Sequence, residues 1–196
     1  MKDIHQRLGE IKERITDKSF RENKGLGNEI GFHIFDYEPK YEMLVRDYVF
    51  NLQKQIKKEN SHIKIREFDL YDIMLEVLDK RGYLEKNFEM EEKKGSEFVF
   101  YATEKTLRLT SQNEDNKIVQ YIIDRTENDE IVFLTGVGKV WPIIRSHTVL
   151  NNLHRALDKV PVVLFFPGTY DGGSLMLFNE IKDDNYYRAF QLVDKY

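Results

Sequence analysis

The stretch from Ile131 to Phe178 constrains this chain more than any other. An apolar run (IVFLTG), a glycine turn (GVGK), a helical segment from Pro142 to Asp158, a second apolar run (VPVVLFFPG) and a glycine-rich turn follow in order. Two short apolar runs flanking a helix spell a parallel β-α-β unit, because parallel strands need a long crossover and are buried on both faces. Ligand and partner sites in such sheets gather at the carboxyl ends of the strands.

The rest of the chain repeats this grammar. Ile4, Leu8, Ile11 and Ile15 recur at helical spacing, so the chain begins with an amphipathic helix, and the polar DKSFRENKGLGNE after it reads as a loop. IGFHIFDY (30–37) is of strand length, and Glu38-Pro39 opens a helix whose apolar stripe runs from Tyr41 through Leu52 to Ile56. HIKIREF (62–68) alternates apolar with charged residues, as a strand near a sheet edge does. Asp69 is a good N-cap for the next stripe (Leu70, Ile73, Met74, Val77, Leu78), which Gly82 closes. Between Glu85 and Thr110 helix and strand spacings compete, with helix the preferred reading. Ile118 to Ile123 is a further short helix. Past Gly173, SLMLFNEI and YYRAFQLV read as a hairpin or two edge strands. The expectation is one α/β domain over residues 1–196, with 1–29 an amino-terminal helix and loop. Its architecture is a three-layer α/β sandwich on a mostly parallel sheet with antiparallel carboxyl-terminal edge strands.

Composition removes several function classes. Acidic residues outnumber basic ones 34 to 30, interleaved along the chain, so no concentrated basic face is offered to free duplex DNA. With no cysteine there is no disulfide, thiolate chemistry or cysteine-held metal. The amino terminus lacks the apolar core of a secretory signal, and no apolar run approaches the ~18 residues of a membrane span, so a cytoplasmic protein is expected.

Each chemical motif competes with a structural reading. Gly136, Gly138 and Lys139 could cradle a phosphate at a helix start, but the P-loop spacing fails and Val140 stands where the magnesium-binding hydroxyl belongs. A tight strand-to-helix turn explains the glycines equally. Ser146 and His147 are adjacent on a helix and point about 100° apart, which spoils a nucleophile-base pair. His147 and Asn151, one turn apart, could share a polar clasp. The five histidines lack metal-binding spacing. Asp36 and Glu38 follow the first strand, where ligands gather, but acids complementing a helix dipole is the preferred reading. FFPGTYDGG (165–173) and YYRAF (186–190) concentrate aromatic side chains of the kind found at interface hot spots, and sheet-edge packing is the alternative.

Taken together, TGVGKVWPIIRSHTVLNNL, PVVLFFPGTYDGGSLMLF and NYYRAFQL resemble the BrxB family of the bacterial BREX phage-exclusion systems, as does the earlier FDYEPKYE. The resemblance rests on Gly136, Gly138, Arg145, His147, Pro167, Gly168, Tyr170, Asp171, Gly172, Tyr186, Tyr187, Arg188 and Phe190. It implies a cytoplasmic antiphage component with no established catalytic role, and no cofactor or metal is expected beside it. Such a protein is encoded beside an AAA ATPase (BrxC), a DNA methyltransferase (PglX) and an alkaline-phosphatase-like protein (PglZ). The implied function is that of an adaptor binding other BREX proteins, PglZ first, and meeting nucleic acid only through the complex. Tyr170, Asp171, Tyr186, Tyr187 and Arg188 are the candidate partner surface. Gly136, Gly138, Lys139, Arg145 and His147 form a structural turn or, in the alternative function, the ligand loop of a nucleotide-binding domain.

Overall fold

A computed structural model describes residues 2–21, 31–59, 62–110, 115–157, 160–183 and 189–196. The chain opens with α1 (Ile4–Thr16), started by a capping box in which Asp3 accepts from the Gln6 amide while the Gln6 side chain accepts from the Asp3 amide. The predicted loop after it holds a one-turn helix, α2 (Lys18–Arg21), which buries Phe20. The remainder of that loop lies outside the described residues. Then follow β1 (Phe32–Tyr37), a 3-10 turn at Pro39–Tyr41, α3 (Glu42–Lys58) and β2 (Lys64–Asp69). Next come α4 (Leu70–Lys80), α5 (Leu84–Lys94), α6 (Ser96–Leu107) and α7 (Lys117–Ile123). β3 (Glu130–Thr135), α8 (Val137–Val140), α9 (Ser146–Ala156) and β4 (Val162–Tyr170) build the predicted β-α-β segment. β5 (Leu175–Leu177), β6 (Ile181–Asp183) and β7 (Phe190–Gln191) complete the chain.

The α/β class is as expected: a seven-stranded, mostly parallel sheet with helices. Its path is β2-β3-β4-β1-β7, with β5 joined to β4 and β6 to β5. β3, β4, β1 and β7 run parallel, and β5 and β6 add the expected antiparallel edge. Only part of the YYRAFQLV expectation survives. Phe190 and Gln191 pair in parallel with β1 rather than as a hairpin arm, and 184–188 lie outside the described residues.

Two compact units make up the chain: Met1–Glu67 with Thr126–Thr135 and Asp158–Tyr196, and Phe68–Arg125 with Gly136–Leu157. In the first, one face of the central strands offers Phe35, Tyr37, Ile131, Phe133, Val163 and Phe165 to the stripes of α1 and α3. Ile11 and Ile15 reach zero exposure there, each contributing roughly 1.5–3 kcal/mol of burial. Ile34, Val132, Leu134, Val162 and Leu164, alternating with them, are equally buried, which is why these strands read as continuous apolar runs. β2 is wet by contrast, and holds β3 through side chains. Arg66 forks onto Glu130 at 2.7 and 3.0 Å, and Thr135 Oγ1 donates to Glu67 at 2.8 Å.

Two boundaries differ from expectation. The helix expected from Pro142 starts at Ser146, because Trp141 is extended before the proline, as residues preceding proline prefer, and 141–145 forms turns. The second apolar run, VPVVLFFPG, goes on through Thr169 and Tyr170 as β4, so the turn after it begins later than expected. Pro167 is opposite Tyr37, the last residue of β1, and from Gly168 onward β4 pairs with β5 instead. A proline fits there because the β1 ladder ends at that point. The neighbouring Gly168 is required by crowding, since a Cβ would strike the Met176 carbonyl oxygen.

Candidate functional site

The carboxyl end of β1 holds the most concentrated polar arrangement described in the first unit. Asp36 belongs to β1 and is 1% exposed, so it is not the helix-dipole acid its position beside Pro39 suggests. Its Oδ1 accepts from Arg7 Nη2 at 3.0 Å and from Gln191 Nε2 at 2.7 Å. Its Oδ2 accepts from the Tyr170 amide at 2.8 Å and pairs with Lys195. Arg7 Nη1 also donates to the Asp36 carbonyl at 2.7 Å, with the guanidinium stacked over Phe35. One carboxylate thereby ties α1, the end of β4 and the carboxyl-terminal segment to the central strand. Glu38, two residues on, makes no cap and pairs with Lys40 at the surface.

Arg7, Gln191 and Lys195 escape a motif search because they are scattered along the sequence. Arg7 alone left a signal: it lies within the Ile4-Leu8-Ile11 stripe, where a charge is buried only if something far away pairs it. A cleft of about 630 Å³ opens beside this hub, lined by Tyr37, Tyr41, Thr169, Asn179, Lys195 and Tyr196 among others. Burial pushes the Tyr37 hydroxyl pKa up, and the nearby Glu42, to which it donates at 2.6 Å, pushes it further the same way. The phenol therefore stays neutral and serves as a donor.

Tyr170, expected at a partner surface, is only 3% exposed, and its hydroxyl donates to the Ala189 carbonyl at 2.7 Å. It fastens the carboxyl-terminal segment from within. Asp171 is exposed and shapes the following turn, accepting from the Ser174 hydroxyl and from the Ser174 and Gly173 amides. Those bonds, the Ser174 hydroxyl first, hold its pKa down at about 2. Tyr186, Tyr187 and Arg188 lie outside the described residues.

In the second unit the glycine loop has its own anion. Gly136 adopts φ 74°, and a Cβ there would run into the Asp69 carboxylate. Asp69 caps α4 by accepting from the Tyr71 and Asp72 amides, as expected, and it also pairs with Lys139. The carboxylate thus packs against the glycine turn, and its charge is paired with that of the lysine. Gly138 lies inside the four-residue α8, Arg145 is exposed before α9, and Ser146 and His147 are the first two residues of α9. Among the described residues no group of three or more His, Asp or Glu is placed to hold a metal ion, and no helix is long and apolar enough to cross a membrane.

Comparison with known proteins gives this architecture its relatives. No solved structure matches. The "BREX protein BrxB" of Bacillus cereus (strain H3081.97) is 66% identical over 195 residues, covering all of both chains. The "BREX protein BrxB" of Escherichia coli O9:H4 (strain HS) is 33% identical over 192 residues, 97% of this chain and 92% of that one. The family profile described as BREX protein BrxB matches residues 66–192, from the wet edge strand to the residue after β7. On this agreement along its whole length, the chain belongs to the BrxB family of BREX proteins.

Proposed function

We propose that this chain, a component of a BREX antiphage system, is a non-catalytic assembly subunit that binds other BREX proteins. PglZ is the foremost partner, with BrxC and PglX the others. The observation that carries this reading is saturation. The two polar clusters that could have done chemistry, Asp36 with Arg7 and Lys195, and Asp69 with Lys139, have their charges turned on one another. Side chains so engaged hold elements together, and neither of these two clusters offers a free nucleophile or base. The partner face in this reading is the carboxyl end of the sheet, where the cleft exposes Tyr196, and the sequence adds Tyr186, Tyr187 and Arg188 as candidates.

The test is co-purification of the tagged chain with each subunit encoded beside it, for the native sequence and for Tyr187→Ala and Tyr196→Ala. Retention of PglZ by the native protein and its loss in these variants is the expected result. A native chain that retains none of the BREX subunits refutes the reading.

A further inference from the structure

The second unit carries a surface that the carboxyl-end reading does not use. α5 buries none of its residues, and α6 buries only Thr103 and Leu107. The two helices fold back on one another across the single residue Gly95, and Asn87 Nδ2 donates to Thr103 Oγ1 at 3.0 Å between their inner faces. Leu84, Asn87 and Met90, half-buried, form the inner face of α5. Outside it stands Phe88, 56% exposed, and α6 adds Phe100 and Tyr101, the latter 59% exposed. Phe98-Val99-Phe100-Tyr101 places large apolar groups around three sides of a helix, a pattern a helix carries when something covers it.

Charge identifies what covers it. Glu85 and Glu92 lie three and four residues from Phe88 and so share its side of α5, and Glu89 is next to it in the chain, leaving one exposed aromatic ring bordered by carboxylates. Lysines lie over the other rings, Lys105 over Tyr101 at 5.4 Å and Lys94 over Phe98 at 4.2 Å. Glu89 pairs with Lys93 at only 4.0 Å, with both side chains more than two-thirds exposed, an attachment worth little and readily exchanged. A nucleic-acid backbone is repelled by such a face, and in a symmetric contact with a second copy the glutamates would oppose one another. We propose that the α5–α6 hairpin is a second docking surface of this assembly subunit, whose occupant is a protein surface with an apolar pocket rimmed by lysine or arginine. Phe88 and Tyr101 are the anchors, and Glu85, Glu89 and Glu92 steer the basic rim.

This inference rests on the assembly reading, and its test separates the two. Binding of each purified BREX subunit is measured by calorimetry at low and high salt for the native chain, for Phe88→Ser, and for the triple variant Glu85→Lys, Glu89→Lys and Glu92→Lys. All replace exposed residues, so their thermal unfolding should match the native protein's, which is checked first. The expected result is a loss of about tenfold or more for Phe88→Ser with one of the subunits. The triple variant should show a similar loss at low salt that shrinks at high salt. Native-like binding by both variants overturns the docking surface while leaving the assembly reading standing. Absence of any binding by the native chain overturns both. Native self-association abolished by Phe88→Ser assigns the face to a second copy and refutes the basic partner, as does duplex DNA binding through the hairpin.

Discussion

Replacing Asp36 by alanine should be among the most damaging single changes to this protein. The carboxylate is 1% exposed, and its two oxygens accept from Arg7, Gln191, the Tyr170 amide and Lys195. Its removal leaves Arg7, itself 7% exposed, without a counter-ion in the interior. Summing four charge-assisted hydrogen bonds would overstate the effect, since water replaces some of them and Lys195 can turn outward. Breaking a buried ion pair from one side costs about 3–5 kcal/mol, a large share of the roughly 5–15 kcal/mol that holds an ordinary domain folded. For a chain of this length that is a fall in melting temperature of roughly 6–20 °C. Urea titration followed by far-ultraviolet circular dichroism should show a lower midpoint with an unchanged slope. Lys195→Ala, which removes the more exposed cation, should cost only about 1 kcal/mol. Equal effects from the two variants, or an Asp36→Ala loss below about 1 kcal/mol, would refute the account of Asp36 as the hub.

Four further outcomes are expected. His33 is 2% exposed between the Phe20 and Phe190 rings, and burial, reinforced by Arg14, lowers its pKa to about 4. The unfolded chain therefore takes up the proton first, and stability present above about pH 6.5 should drain away as pH falls toward 4. The loss amounts to about 3 kcal/mol from this group, and His33→Phe should flatten that part of an acid titration. Gly136→Ala forces a β-carbon into a left-handed backbone and against Asp69, costing about 2–3 kcal/mol in chemical denaturation. Gly9→Ala, in open space on α1, should stabilise by about 0.5–1 kcal/mol. Millimolar ATP should leave the thermal unfolding curve unmoved, because Asp69 already engages Lys139, and a shift that Lys139→Ala removes would restore the nucleotide reading.

Legibility in the sequence followed the range of the interaction. Local signals transferred well: the Ile4-Leu8-Ile11-Ile15 stripe, the Asp69 cap, the wet strand before it and the two apolar strands around a crossover all form as the spacing implies. Pro142 misled because a proline suits both a first helical turn and a turn ahead of the helix, and only the extended Trp141 decides between them. The hubs were out of reach for another reason. Asp36 meets partners 29, 134 and 155 positions away, and Asp69 meets Lys139 across 70, so neither residue's neighbours in sequence reveal its role. Tyr170 shows the same limit: its aromatic, glycine-rich surroundings suggest an interface, while its ring is held inside by Ala189. The aromatic cluster of α6 was visible as composition, but its exposure was not, because FVFY reads identically in a core helix.

The two ends of the sheet path bear on how such a subunit can be joined to anything. At one end β2 sets Lys64, Arg66 and Glu67 out in water, with Lys64 bridging to Glu127 and Asp129. At the other lies β7, with Phe190 and Gln191. A border studded with charge is a poor template for an incoming strand. In the assembly reading, a neighbour at the β2 border therefore grips side chains, without continuing the hydrogen-bonded ladder. Attachments of that kind are specific and separable one from another by point substitution.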